Sequence, residues 1–296
     1  RRARDRSIGS VRARSIEVDG RRVRIIEAGV GGDRGDPVLM LHGVGGWAEN
    51  WRETLPAVAA SGRRAIAVDL PGFGESEPVR GARYFDPPDP FYAGFVRRLL
   101  DALGVERAHL VGSSMGGAVV FVAAVCAPTR VRSLALVAPG GIGREMPAFM
   151  RALSVPFALL LGRLPAPRAA ARRVLRSCFH DARRIPAPLV AEAEGYGRAS
   201  VPELLRVLRS VGTLGGVRDD LRRAWISRAH EHTGPVLLVW GREDRILPFA
   251  HAAAVNAIAP QAELHVIERC GHLPMIERPA EFQAALLSFL DRAEAS

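Results

Sequence analysis

The 296-residue chain contains no lysine: all 41 of its basic side chains are arginine. Without an ε-amino group there is no Schiff-base lysine, no lysine of a phosphate-binding loop and no strand lysine of the kinase kind. Cysteine is scarce as well. Cys126, Cys178 and Cys270 are odd in number and form no CxxC pair, which argues against a disulfide scaffold or a zinc ribbon. The histidines lack HExxH spacing and no dinucleotide fingerprint is present, so neither a metal nor any other cofactor is expected. Aromatic residues make up only 6% of the chain, and the basic arm up to Arg24 has none. Nucleic-acid binders more often interleave aromatics with their basic residues, so no nucleic-acid partner is expected. A long, clean apolar run is missing too. Residues 108–127 (AHLVGSSMGGAVVFVAAVCA) are uncharged over a membrane-spanning length, but His109, Ser113, Ser114 and three glycines suit a buried strand turning into a buried helix. The shorter apolar stretch 152–162 is interrupted by Pro156, and the arm RRARDRSIGSVRARS lacks the apolar core of a signal peptide.

What is present describes a globular chain, 48% hydrophobic and 24% charged, of a length for one large domain or a domain with an insertion. Its net charge of +10 is unevenly placed: residues 1–24 sum to +6, residues 141–233 to +8, and the remainder is slightly acidic. Attraction of an anionic substrate, or weak association with an anionic membrane surface, would follow from such a block. An arginine-rich solvated face is the plainer explanation. A cytoplasmic protein with at most peripheral membrane contact is expected. The oligomeric state does not follow from these features.

Residues 11–18 and 21–28 alternate around Asp19-Gly20, the pattern of a tight hairpin. Short continuous apolar runs follow at 38–41, 65–68, 108–111, 134–138, 236–240 and 264–267. Such runs belong to strands covered on both faces, as in a parallel sheet. Helical segments fall between them, near 50–60, 90–103, 115–126, 249–258 and 280–293. This alternation predicts an α/β fold with a doubly wound, mostly parallel sheet. Residues 141–233 break the rhythm with prolines and arginines. Within them Ser200 and Glu203 form a capping-box pattern before Leu204, Leu205, Leu208 and Val211, and Arg168, Arg172 and Arg176 recur at i+4. The expected organisation is a core over 1–140 and 234–296, with a helical cap over 141–233 inserted between the sixth and seventh strands.

Gly112-Ser113-Ser114-Met115-Gly116 is a GxSxG pattern set between a strand and an apolar helix. That order is what a nucleophile elbow needs, because the tight turn admits only small residues two before and two after the serine. Gly112 and Gly116 satisfy this for Ser114, whereas Val111 and Met115 rule out Ser113. A glycine-rich turn with a structural serine is the bland alternative. A serine hydroxyl needs a base. His109 and His265 sit in strand runs, His230 and His232 in a polar connector, and His180 and His251 read as helix-surface residues. His272 stands apart, on a loop after the last strand between Gly271 and Pro274, at the sheet edge where ligand sites of open α/β sheets lie. The carboxylate to orient it is expected in Gly241-Arg242-Glu243-Asp244, with Asp244 first and Glu243 as the fallback. After the strand VLML, His42-Gly43-Val44-Gly45-Gly46 offers free amides, so the N–H groups of Val44 and Met115 are the candidate oxyanion donors. His42 itself reads as structural.

LHGVGGW, DLPGFGES (Asp69–Ser76), VGSSMGG, WGREDRILP and CGHLPMIERP resemble the successive signatures of the α/β-hydrolase superfamily, in its order serine, acid, histidine. The resemblance runs from about Ser15 to Arg292. It implies an eight-stranded, mostly parallel sheet with a helical cap, a triad of Ser114, Asp244 and His272, and oxyanion donation from Val44 and Met115. Haloalkane dehalogenases and epoxide hydrolases of this fold use an aspartate nucleophile, so Ser114 sets the chain apart from them. The reaction implied is acyl transfer from a small-molecule ester of small or medium apolar acyl size. Carbon–carbon hydrolysis of a ketone of the meta-cleavage-product type is the alternative. Those enzymes usually carry Asn before the nucleophile, where Ser113 stands, and an arginine for the substrate carboxylate, for which Arg172, Arg176 or Arg184 are candidates. Perhydrolases usually have an aromatic where Val44 stands. A binding protein without turnover is the third reading, although such proteins usually lose a triad member. The Leu/Phe/Pro-rich segment 147–165 is expected to supply an apolar acyl pocket.

Overall fold

The computed structural model describes residues 11–32, 34–79, 81–155 and 168–295. Two strands, β1 (Arg12–Val18) and β2 (Arg21–Ala28), form the hairpin expected at its start. Asp19 and Gly20 both adopt positive φ, 55° and 71°, as a two-residue turn between twisted strands demands. The chain continues through β3 (Val38–Leu41), α1 (Thr54–Ala60), β4 (Ala65–Val68), α2 (Phe91–Ala102), β5 (Ala108–Ser113), α3 (Met115–Cys126) and β6 (Val131–Val137). The uncharged stretch 108–127 is thus a buried strand and helix, and among the described residues no helix is long and apolar enough to cross a membrane.

Between β6 and the next sheet strand the chain forms α4 (Ala148–Leu153), α5 (Arg168–Ser177), the long α6 (Ala187–Val211), a small hairpin of β7 (Gly212–Thr213) and β8 (Gly216–Val217), and α7 (Asp219–Ile226). It then returns through β9 (Val236–Gly241), α8 (His251–Ile258), β10 (Glu263–Ile267), the short α9 (Pro274–Glu277) and α10 (Pro279–Ala295). The main sheet has eight strands in the order β1-β2-β4-β3-β5-β6-β9-β10, with β1–β2 and β2–β4 antiparallel and every other pair parallel.

Period-two alternation divides the sheet's side chains between two cores. Leu39, Leu41, Ile66, Val68, Leu110 and Leu238 pack with α2 and α3 on one face. Val38, Met40, Ala65, Ala67, Val111 and Val239 pack with α1 and α10 on the other, against Trp51, Leu55, Phe282 and Phe289. Each fully buried branched side chain contributes about 1.5–3 kcal/mol, so continuous apolar runs are the cheapest way to cover both faces.

The capping-box expectation for Ser200 and Glu203 is overturned. Both lie inside α6, which starts at Ala187 after Pro186 and runs through Pro202. Glu203 is buried and accepts instead from the Tyr84 hydroxyl (2.6 Å), outside the helix, and from Arg206 (2.8 Å), three residues on within it, so these side chains and not the helix's own amides occupy the carboxylate. The β7–β8 hairpin in this otherwise helical stretch is also a departure, made by the glycines at 212, 215 and 216.

Candidate functional site

Ser114 sits between the last residue of β5 and the first of α3, with φ 54° and ψ −117°. That is strained backbone for a residue with a Cβ, of order 1–3 kcal/mol, and it persists because its surroundings fix it. Its amide donates to the Val137 carbonyl (2.9 Å), and its carbonyl accepts from Gly140 (2.9 Å) and Ala118 (3.2 Å). Side chains at the flanking glycines have no room: a Cβ on Gly112 would run into the Gly116 backbone, and one on Gly116 into the Leu41 and His42 carbonyls. Ser113 points the other way, with a fully buried hydroxyl that has no hydrogen-bond partner among the described residues.

Asp244 follows β9 and His272 follows β10, on neighbouring parallel strands. The His272 Nδ1–H donates to Asp244 Oδ2 at 2.7 Å, and Asp244 Oδ1 accepts from the amides of Ile246 (2.8 Å) and Leu247 (2.9 Å). The carboxylate side chain is wholly buried. With its proton committed to Asp244 at Nδ1, the neutral ring leaves Nε2 as its acceptor. Glu243, the fallback, turns away and holds the Cys270 amide (2.9 Å). The structure therefore joins His272 and Asp244. Among the described residues no hydrogen bond links Ser114 Oγ to His272.

Gly43 lies against the serine: a Cβ there would come within 3.0 Å of Ser114 Cβ. The next amide, Val44 N–H, has no acceptor among the described residues, and Met115 N–H opens α3 and so lacks an intrahelical partner. His42 Nδ1 donates to the Gly43 carbonyl (2.7 Å) while Nε2 accepts from the Leu70 amide (2.9 Å). Burial lowers the pKa of this ring, which matches a neutral imidazole bracing the loop.

Ser114, Val44 and Met115 open onto a cavity enclosing about 930 Å³ of empty space, part of it continuous with solvent. Phe85, Phe121, Met150, Leu208 and Trp225 are among the apolar side chains on its wall, and among the described residues its only charged side chain is Arg222. Arg222 Nη1 reaches the Ile142 carbonyl (3.5 Å) and its Nε lies 3.5 Å from Asp219. The three arginines singled out from the sequence are elsewhere: Arg172, Arg176 and Arg184 are exposed, with Arg172 paired to Glu194 (2.5 Å). Arg222 was missed because nothing in its helical spacing tells which side of α7 meets the cavity. Of segment 147–165, Met150 lines the wall, whereas residues 156–165 lie outside those described.

Two other histidines differ from expectation. His251 is buried, bonded through Nε2 to Glu145 (2.5 Å) and packed edge-on against Trp240. His180 is half-buried in the turn after α5, its Nδ1 buried without a hydrogen-bond partner among the described residues. Burial pushes the Cys178 thiol up to about 12, which disfavours its thiolate. Among the described residues no cluster of three or more His, Cys, Asp or Glu side chains is arranged to hold a metal ion.

Residues 36–279 match the family model described as alpha/beta hydrolase fold. The chain is 35% identical over 280 residues to the dihydrolipoyllysine-residue acetyltransferase component of the acetoin cleaving system of Cupriavidus necator, covering 93% of this chain and 68% of that protein. It is 32% identical over 281 residues to the 2-hydroxy-6-oxo-6-phenylhexa-2,4-dienoate hydrolase of Burkholderia cepacia, covering 91% of each. A bacterial membrane phospholipase A of known crystal structure superposes with a TM-score of 0.74 at 26% identity, over 98% of this chain and 89% of that one.

Proposed function

The chain belongs to the α/β-hydrolase fold family, and from that premise we propose that it is a serine hydrolase cleaving carboxylic esters of apolar acyl groups. Ser114 Oγ attacks the ester carbonyl while His272 Nε2 takes its proton, and Asp244 holds the imidazole in the required tautomer. Negative charge developing on the carbonyl oxygen is met by the amides of Val44 and Met115; losing one such donor typically costs ~3–4 kcal/mol. The intermediate collapses, His272 protonates the departing alcohol, and water attacks the acyl-serine by the same route to release the acid. Among the described residues no hydrogen bond joins Ser114 to His272, and the alignment is expected to tighten when substrate binds, as catalytic hydrogen bonds commonly do. Residues 141–233 act as a cap, because α4, α6 and α7 supply Met150, Leu208 and Trp225 to the cavity wall.

The observation carrying the ester reading is that wall: a strained serine opening on a cavity of almost wholly apolar side chains. A p-nitrophenyl ester series tests it. Turnover that Ser114→Ala abolishes, with fluorophosphonate labelling of Ser114, is the expected result. No turnover at any acyl length and no labelling would leave a binding protein instead.

Arg222 favours a second reading, hydrolysis of a carbon–carbon bond in a 2-hydroxy-6-oxo-dienoate, because a guanidinium on an apolar wall suits a substrate carboxylate. The Burkholderia cepacia relative is named for such a substrate. Decay of the dienoate's absorbance with kcat/KM above that for the best ester, reduced at least tenfold by Arg222→Gln, would establish this reading over the ester one. The acetyltransferase relative lends less. None of the 296 residues is a lysine, so none of them can be a lipoyl-lysine.

A further inference from the structure

The loop that carries His272 presents three consecutive backbone amides, and each is held by a different element. Glu243 accepts from Cys270 N–H (2.9 Å), Glu277 from Gly271 N–H (2.7 Å), and the Cys178 carbonyl from His272 N–H (2.7 Å). Cys178 belongs to the turn that ends α5, inside the segment inserted between β6 and β9. The same Glu277 carboxylate reaches that turn as well. Its Oε2 also accepts from His180 N–H (3.0 Å), and its Oε1 from Asp181 N–H (2.8 Å). Glu277 is 1% exposed, so its side chain is committed to these three amides within the interior.

Strand order does not require this joint, although Phe179 of the same turn is buried in one core with Cys270, Leu273 and Met275. The His272 loop already follows from β10, and α9 would close without it through the Leu273 carbonyl, which accepts from Ile276 (3.0 Å) and Glu277 (2.9 Å). The contact is also too close for any side chain at Gly271, where a Cβ would lie 2.5 Å from the Cys178 carbonyl oxygen and 2.8 Å from His180 N. A buried carboxylate accepting three amide bonds is a stiff, charge-assisted tie, and what it ties is the backbone on either side of the imidazole's anchor.

We infer that Glu277 is a positioning residue for His272: its carboxylate clamps the Cys178–Asp181 turn of the inserted segment onto the histidine loop, and that turn's carbonyl sets the backbone from which the imidazole reaches Asp244. The inserted segment then orients the base as well as covering the cavity. This rests on His272 acting as the base, so the test needs one readout that does not depend on turnover.

Glu277→Gln keeps the volume but replaces one acceptor oxygen by an NH₂ that faces a donor, opening one side of the clamp. The expected result is a fall in kcat of at least tenfold with KM within twofold of wild type, together with a shifted or exchange-broadened downfield proton of the His272–Asp244 hydrogen bond in NMR. Glu277→Asp retains the charge on a shorter arm and should recover part of both. Gly271→Ala strains the same joint from the other side and should reproduce the kcat loss; it also decides the matter should Glu277→Gln fail to fold. Folded Glu277→Gln with unchanged kcat and an unmoved downfield proton would overturn the inference and leave the ester reading standing. A wild-type protein that turns over no ester, whose downfield proton nevertheless moves in Glu277→Gln, would uphold the clamp and sink the ester reading.

Discussion

The cavity runs beside α3, and the pattern of exposure along that helix turns its shape into a measurable selectivity. All twelve residues of α3 are small or apolar, and most are buried, yet Ala118 and Phe121 are left half-buried because they face the cavity with Met115 and Val122. Ala118 lies four residues beyond Ser114, about 6 Å along the helix axis, and Phe121 about 10 Å, at 1.5 Å per residue. An acyl chain attached to Ser114 and lying along α3 therefore passes Ala118 before it reaches Phe121. Each methylene buried on the way is worth ~0.8 kcal/mol, roughly a fourfold rise in kcat/KM. Four methylenes come to about 3 kcal/mol, or roughly 200-fold between butanoyl and octanoyl esters. Ala118→Phe fills this route before it reaches Phe121. The octanoyl-to-butanoyl ratio of kcat/KM should fall from the order of 100 toward 1, with acetyl ester turnover changed only a few-fold. Initial rates on p-nitrophenyl esters from C2 to C12, below their solubility limits, measure this directly. The same slope in the variant as in wild type would refute the route along α3, and a flat wild-type profile from acetyl to octanoyl would refute the apolar acyl pocket itself.

Gly116→Ala would push a methyl into the Leu41 and His42 carbonyls, so a loss of about 1–3 kcal/mol in stability is expected. Thermal unfolding should show it, together with slower fluorophosphonate labelling of Ser114. Asp244→Asn keeps the volume but favours the wrong imidazole tautomer, and kcat should drop by about 10⁴-fold with little change in unfolding temperature. Glu27 gives a pH test. Burial raises its carboxyl pKa, but hydrogen bonds from Arg14 (2.5 Å) and Arg64 (2.9 Å) outweigh that and hold it below its usual value. A depressed folded-state pKa contributes stability above the ordinary carboxylate range and loses it as pH falls through the folded value. Glu27→Gln should therefore cost about 1–2 kcal/mol at pH 7. The two unfolding curves should converge at acid pH, and a constant gap from pH 7 to pH 3 would contradict the assignment.

Features set by neighbouring residues were legible in the sequence. The hairpin at Asp19-Gly20, the strand runs and the serine turn all follow from local backbone demands, since only glycine fits at positions 112 and 116. His272 and Asp244 could be paired because each follows directly on a strand, and parallel neighbours bring their ends together. Features set by distant partners were not legible. Glu203 looked like a helix cap because its partner, Tyr84, lies 119 positions away, and His251 looked exposed because Trp240 and Glu145 cover it only after folding. The arginine on the cavity is Arg222 and not Arg172, Arg176 or Arg184, a matter of which face of each helix docks.

The same division separates what fixes the site from what shapes its cavity. Ser114 is held by the carbonyl of Val137 and the amides of Gly140 and Ala118, Asp244 by the amides of Ile246 and Leu247, and His272 by Asp244 and the Cys178 carbonyl. Apart from the His272–Asp244 pair, these holds are made by main-chain atoms, which substitution of a neighbouring side chain leaves in place. The cavity wall is made almost entirely of side chains, many from helices outside the sheet. Exchanging Met150, Leu208 or Trp225 should therefore move acyl preference while leaving reactivity toward a small fluorophosphonate nearly constant. Glu277 belongs to the opposite class. It is a side chain that grips main-chain amides, so changing it should slow every substrate by a similar factor. Acyl preference and the common rate factor are thus separable in one set of variants. If Met150→Ala slowed acetyl and octanoyl esters equally, the wall would be part of the framework, and the separation would fail.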